Sequence, residues 1–200
     1  MLEVISLSFE RNDECILHEL NLFLKPGDIV HLYGKNGSGK TTFLKLLAGI
    51  LYPSTGSIYF NAKLIYKNLA TYQQNICYIG HKNGINHLLT VYENCRFNLH
   101  QYNQPMLDIY LEQFDLLKYA TTQCFKLSAG QLKRINLIKL AMSQSKLWLL
   151  DEPLASLDLE TTNTVMQLIT NHVQHTHGAV IISSHQPLPC INIAIQEYKL

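Results

Sequence analysis

The chain has 200 residues, 47% of them apolar and 16% charged, with a net charge of +1 at neutral pH. That length suits one core with an insertion. The near-neutral balance excludes a general attraction for nucleic acid or anionic lipid, and no apolar run approaches the ~20 residues that cross a bilayer. The five cysteines (Cys15, Cys77, Cys95, Cys124, Cys190) are scattered, with no C-x-x-C pair, which fits a reducing compartment better than a disulfide framework or a zinc site.

Residues 2–9 alternate as a strand does and lack the basic region and cleavage site of a signal peptide. Ile16–Leu24 reads as a second strand across a turn at Asn12–Asp13, and Pro26–Gly27 closes the hairpin. Asp28–Tyr33 predicts a short buried strand, and Thr42–Leu51 has apolar residues at helical spacing. Between them, Gly34–Thr41 fits G-x-x-x-x-G-K-[ST], a phosphate-binding loop. Gly34, Gly37 and Gly39 allow the backbone at Lys35, Asn36 and Ser38 to turn N–H groups toward a β- and γ-phosphate. The helix start at Thr41 and Thr42 adds a partial positive charge. Lys40 adds a full charge, and the Thr41 hydroxyl suits Mg²⁺. A plain glycine-rich turn is the alternative, and the flanking strand and helix weigh against it. The chemistry implied is binding of a nucleoside triphosphate.

Pro53–Gly56 is a turn, Ser57–Asn61 a short strand, and Asn75–Ile79 a buried strand ending at Gly80–His81. From about Thr90 to Phe125 the character changes. Val91–Tyr102 and Met106–Tyr119 have helical spacing, split by the breaker Asn103–Pro105, so this part reads as a small helical insertion. Ser128 is a good N-cap for a helix through about Ser143. Lys146–Leu150 is a buried strand ending at Asp151–Glu152. Thr161–Gln174 is a helix, Ala179–Ser183 a strand, and His185 stands just past its end. Strand–helix alternation with polar residues at strand ends implies an α/β fold with a largely parallel sheet.

Asp151 can hold Mg²⁺ opposite Thr41, and Glu152 beside it can polarise a water for attack on the γ-phosphate. Adjacent carboxylates also occur on ordinary turns; the upstream phosphate loop favours the functional reading. In Leu127–Gln131 (LSAGQ), a serine at a helix start followed by Ala129 and Gly130 makes a second phosphate cap or simply a capped helix. A second cap suggests action on a partner's nucleotide. His172–His177 holds three histidines near a helix end, where a solvated connector is commoner than a metal or haem ligand set.

Taken together, these motifs resemble the ATP-binding subunits of ABC transporters, over essentially the whole chain. The phosphate loop, LSAGQ, LWLLDE (147–152), ASLD (155–158) and His185 occur in that family's order. The resemblance implies a P-loop NTPase (RecA-like) core with an N-terminal antiparallel β part, a core of 1–86 and 126–200, and a helical subdomain of about 87–125. It implies a homodimer closing head to tail on two ATP molecules. Each would lie between the phosphate loop of one subunit and Ser128, Ala129, Gly130 and Gln131 of the other. Lys40 and Thr41 would serve phosphate and magnesium, Asp151 the metal, Glu152 the catalytic carboxylate. Asp158 would link the two sites and His185 would contact the γ-phosphate, unless it is only a polar residue ending a strand. Phe9 either stacks on adenine or packs in the core. His81 stands where the family has a glutamine that senses metal and membrane partner, and the chain after His185 is too short for a regulatory domain.

GH-x-x-GI at 80–85, alanine in LSAGQ, the tryptophan of LWLLDEP and SHQPL at 184–188 resemble one group within that family, the ATP-binding subunits of the haem exporter of cytochrome c maturation. That implies a peripheral subunit on the cytoplasmic face of a bacterial inner membrane, held by integral membrane partners through His81–Val91 and the helical insertion. Alternatives are an ABC ATPase for another substrate, a soluble ABC ATPase without transport, and a small P-loop kinase. A kinase would not need LSAGQ, and the first alternative would share every nucleotide residue.

Overall fold

In the computed structural model, which describes residues 1–80, 84–96, 103–190 and 192–200, the chain builds two sheets. β1 (Leu2–Arg11) and β2 (Glu14–Leu24) pair antiparallel through a two-residue turn at Asn12 and Asp13. Both turn residues take left-handed backbone (φ 52° and 63°), the geometry that matches the twist of a hairpin. β4 (Thr55–Phe60) joins the free side of β1, and the short β5 (Lys63–Leu64) completes a sheet of order β2-β1-β4-β5.

The second sheet is parallel. It contains β3 (Ile29–Tyr33), β6 (Ile76–Ile79), β7 (Leu147–Asp151), β8 (Ala179–Ser183) and β9 (Ile195–Lys199) in the order β6-β7-β8-β3-β9. Its central strands are buried almost throughout because both faces are covered, and they are apolar except at His31, Asp151 and Ser183. Val30, Leu32, Leu147, Leu149, Ala179 and Ile181 face one core, shared with the antiparallel sheet and α1 (Lys40–Leu47). Ile29, Trp148, Leu150, Val180 and Ile182 face the other. That second core is closed by α3 (Val91–Arg96), α4 (Gln104–Gln113), α5 (Ala129–Ala141) and α6 (Leu159–His175).

Several expected boundaries move, each for a local reason. The first helix begins at Lys40 and ends at Leu47 instead of spanning Thr42–Leu51. Gly49 (φ 66°) terminates it, with Gly49 N–H donating to Leu46 O (3.0 Å) and Ile50 N–H to Lys45 O (2.9 Å). The expected helix Met106–Tyr119 stops at Gln113, because Asp115 takes the same left-handed role (φ 52°) and Leu116 N–H closes on Leu111 O (2.7 Å). A single 3₁₀ turn follows at Leu117–Tyr119. Of the expected helix Val91–Tyr102, the part through Arg96 is α3, and 97–102 lie outside the described residues. β5, α2 (Leu69–Gln73) and β9 had no counterpart in the sequence reading.

Candidate functional site

The phosphate loop leaves the carboxyl end of β3. Gly37 (φ 82°) and Gly39 (φ 95°) both need left-handed backbone, and α1 begins immediately after them, so the first helical N–H groups face the loop. Gly34 is required by space: a Cβ there would lie 2.6 Å from both Ser38 Oγ and Leu200 O. Ser38 Oγ is buried and has no hydrogen-bond partner among the described residues. Lys40 is 6% exposed, and its ammonium donates to Gly34 O (2.8 Å) and Lys35 O (3.1 Å). Lys35, Asn36 and Gly37 are exposed at the loop tip, and Thr42 is half-buried in the first turn of α1. The loop brings an ammonium and a helix start together, the sign of charge that a polyphosphate needs.

Asp151, the last residue of β7, is held at both oxygens. Thr41 Oγ1 donates to Oδ2 (2.8 Å) and Ser183 Oγ donates to Oδ1 (2.8 Å). Two hard oxygens at that separation, Thr41 Oγ1 and Asp151 Oδ2, fit adjacent positions around an octahedral Mg²⁺. Glu152 follows at φ 51°, an uncommon conformation for a residue with a side chain, and stranger before Pro153. Its N–H donates to Ser183 Oγ (3.0 Å), and its carboxylate pairs with His185 Nε2. His185 Nδ1 lies 3.5 Å from the Lys40 ammonium. With a carboxylate on one ring nitrogen and an ammonium on the other, the network assigns the proton to Nε2. Phosphate loop, Asp151, Glu152 and His185 are therefore one contact network, built at the carboxyl ends of adjacent strands.

The start of α5 stands apart from that network. Ser128 and Gln131 form a reciprocal capping box: Gln131 N–H donates to Ser128 Oγ (3.3 Å) and Ser128 N–H to Gln131 Oε1 (2.9 Å). Among the described residues, no hydrogen bond or ion pair joins Ser128–Gln131 to the phosphate loop. A cleft of about 220 Å³ separates Ala129 and Gly130 from Asp151 and Glu152. Asp158 caps α6 through Thr161 N–H (2.7 Å) and pairs with Arg134 of α5 (2.6 Å). The Thr161 amide, then Arg134, pull its carboxyl down to about 2. A second cleft, about 350 Å³, opens beside Glu152 and His185 and runs along Ala155–Leu157.

Four side chains at the site went unread in the sequence. Ser183 is one, legible only once β7 and β8 are set in register with Asp151 opposite it. Lys133 and Arg134 are others, because α5 reveals them only through contacts with a turn some twenty residues on. Tyr78 is the fourth: a Cβ on Gly80 would fall 2.8 Å from its hydroxyl, and burial and the Asp151 charge push its phenol up to about 12.

Phe9 is half-buried against the core of the antiparallel sheet, opposite Leu17, whose methyl reaches over Gly39. His81 lies outside the described residues. His172 is buried with its ring stacked on Trp148 (3.8 Å between centroids), and burial pushes its pKa down to about 4. The expected solvated connector therefore holds for His175 and His177, which are exposed, and not for His172, which packs into the core. Among the described residues no group of three His, Cys, Asp or Glu side chains is placed to hold a metal. Among the described residues no helix is long and apolar enough to cross a membrane.

Residues 17–155 match the family model described as ABC transporter. The chain is 42% identical to the cytochrome c biogenesis ATP-binding export protein CcmA of Legionella pneumophila, over 100% of both chains. It is 38% identical to the protein of the same description from Histophilus somni, over 99% of this chain and 94% of that one. Its fold is similar to the dimeric structure of an ATP-binding cassette in a post-hydrolysis state bound to ADP and Pi, with TM-score 0.81, 22% identity, and 93% and 88% of the two chains covered.

Proposed function

This chain belongs to the ABC transporter family, and from that premise we propose that it is the ATP-hydrolysing subunit of an export complex of c-type cytochrome biogenesis. Haem is the cargo, or the load of a haem chaperone that ATP releases. The observation that carries the ATPase part is the joined network Ser183–Asp151–Thr41 and Lys40–His185–Glu152. The cytochrome c part rests on full-length identity with proteins of that description.

Each residue then has a chemical task. Loop N–H groups, the start of α1 and Lys40 bind the β- and γ-phosphates of ATP. Thr41 Oγ1 and Asp151 would hold Mg²⁺, which neutralises phosphate charge when bound. Glu152 orients the attacking water and takes its proton, while His185 keeps the carboxylate aimed and stands beside the γ-phosphate. Ser128–Gln131 and Asp158 of a second copy complete each site, so ATP bridges a homodimer and its hydrolysis releases the bridge. The helical insertion of about 87–125 faces the membrane-spanning partners. Leu88 and Phe125, 75% and 55% exposed on segments tied by Phe125 N–H to His87 O (3.0 Å), support this surface. Those partners hold the chain at the cytoplasmic face of the inner membrane.

Glu152→Gln carried as the only copy in cells tests both parts. ATP binding is retained while hydrolysis falls about 10²-fold, the scale for loss of one catalytic group. Covalent c-type haem disappears from a haem stain of membrane proteins while b-type haem stays. Hydrolysis at the parent rate overturns the role of Glu152, and unchanged c-type haem with lost hydrolysis removes the cytochrome c assignment alone.

A further inference from the structure

Glu152 sits in a turn that its own sequence does little to stabilise. Glu152 (φ 51°) and Ser156 (φ 62°) both adopt left-handed backbone, and neither is glycine. Such conformations persist only where surrounding groups hold them. Ser183 holds the Glu152 N–H and His185 the carboxylate. The remaining backbone group, the Glu152 carbonyl, accepts from Lys133 Nζ (2.7 Å), and the same ammonium donates to Ala155 O (2.6 Å). Ala155 N–H in turn reaches back to Glu152 O (3.3 Å). One cation thus pins both ends of the four-residue turn 152–155. It comes from the second turn of α5, and its stem lines the cleft between Ala129–Gly130 and the Asp151–Glu152 carboxylates.

The pin is costly to build elsewhere. Lys133 is half-buried, and burial lowers its pKa, opposed by the charges of Glu152 and Asp151. A lysine that gives up water to meet two carbonyls serves their geometry better than general attraction, since two charge-assisted bonds fix a turn more firmly than one neutral bond.

We propose that Lys133 is a positioning residue for hydrolysis, holding the 152–155 turn so that the Glu152 carboxylate is aimed, and tying that aim to α5. The inference rests on the reading of Glu152 as the catalytic carboxylate. It gives α5 two functions. Its first residues cap a phosphate on the second copy, and its next turn sets the carboxylate in its own copy. Displacement of α5 relative to the parallel sheet therefore moves the Glu152 turn.

The test is steady-state and single-turnover MgATP hydrolysis by the full chain, in the complex it is purified with. Lys133→Met lowers kcat about 10- to 10²-fold, the scale of a 1 Å misplacement, with KM for ATP within about threefold. Lys133→Arg, which still offers donors to both carbonyls, recovers to within about threefold of the parent. In a Glu152→Gln background, Lys133→Met changes the residual single-turnover rate by less than about twofold, because its route to the chemistry is already gone. Lys133→Met with more than half the parent kcat overturns the proposal. So does a raised KM with kcat intact, or two losses that multiply. If Lys133→Met does not fold, Lys133→Gln is read by the same criteria. Glu152→Gln at the parent rate would instead overturn the role of Glu152 itself, a separate result.

Discussion

Ser183→Ala removes one oxygen from the middle of the site and shows how much of its geometry that oxygen carries. Ser183 is fully buried. Its hydroxyl donates to Asp151 Oδ1 (2.8 Å) and accepts from Glu152 N–H (3.0 Å). The substitution therefore deprives a buried carboxylate of one donor and leaves a strained residue's N–H without an acceptor. A hydrogen bond to a charged group contributes about 1.5–3 kcal/mol, and a buried donor left unmet costs about 1–3 kcal/mol. The two effects share one atom and do not add fully, so the expected loss is about 3 kcal/mol. For a chain of this size that is a fall in Tm of about 6–12 °C. Urea denaturation of the purified chain measures it as a lower midpoint at unchanged slope. Hydrolysis falls about tenfold as well, since Glu152 loses one of its three anchors. A loss under about 1 kcal/mol would refute the reasoning, because it would mean that Asp151 and Glu152 are held without this hydroxyl.

Two further outcomes follow from single residues. Burial pushes His172 from 6.5 to about 4, so the folded chain favours the neutral ring; stability is complete above pH 6.5 and is lost as pH falls from there to about 4, by about 2 kcal/mol after allowance for partial solvation. His172→Phe keeps the stack on Trp148 and flattens that part of a pH-dependent denaturation profile; an unchanged slope places the titration elsewhere. Gly34→Ala drives a Cβ to within 2.6 Å of Ser38 Oγ and Leu200 O, so the phosphate loop must open and MgATP affinity falls at least about tenfold in equilibrium binding, a loss that unchanged affinity would disprove.

What the sequence made legible has a common cause. The phosphate loop, Asp151–Glu152 and the Ser128 cap are runs of neighbouring residues whose chemistry depends on local backbone, and local backbone is what residue order encodes. Strands such as Ala179–Ser183 could be read from their unbroken apolar character. Three features could not. α4 stops at Gln113 because of Asp115, a residue whose type does not announce a left-handed stop as glycine would. β9 is half-exposed at a sheet edge and lacks the apolar run of its neighbours, and only its pairing with β3 makes it a strand. The histidines near 172–177 read as a solvated connector, yet the ring of His172 is buried against Trp148, with Gly178 leaving room where a Cβ would collide with that ring.

The site itself shows why its supporting residues escape a linear reading. Asp151 and Glu152 are adjacent in sequence, yet four separated segments hold them. α1 reaches Asp151 through Thr41, and β8 reaches both residues through Ser183. α5 reaches the Glu152 carbonyl through Lys133, and the segment after β8 reaches its carboxylate through His185. Each contact spans 19 to 110 residues of chain and uses a residue type that is unremarkable where it stands. The arrangement has a mechanical consequence. Glu152, strained and held from three directions beside an Asp151 that α1 holds, keeps its conformation only while those elements stay in place. Displacements of α5, through Lys133, or of the phosphate loop, through Lys40 and His185, therefore both change its aim. Hydrolysis is thereby tied to the positions of α1 and α5, the two helices whose starting residues the proposed dimer would bring onto each ATP.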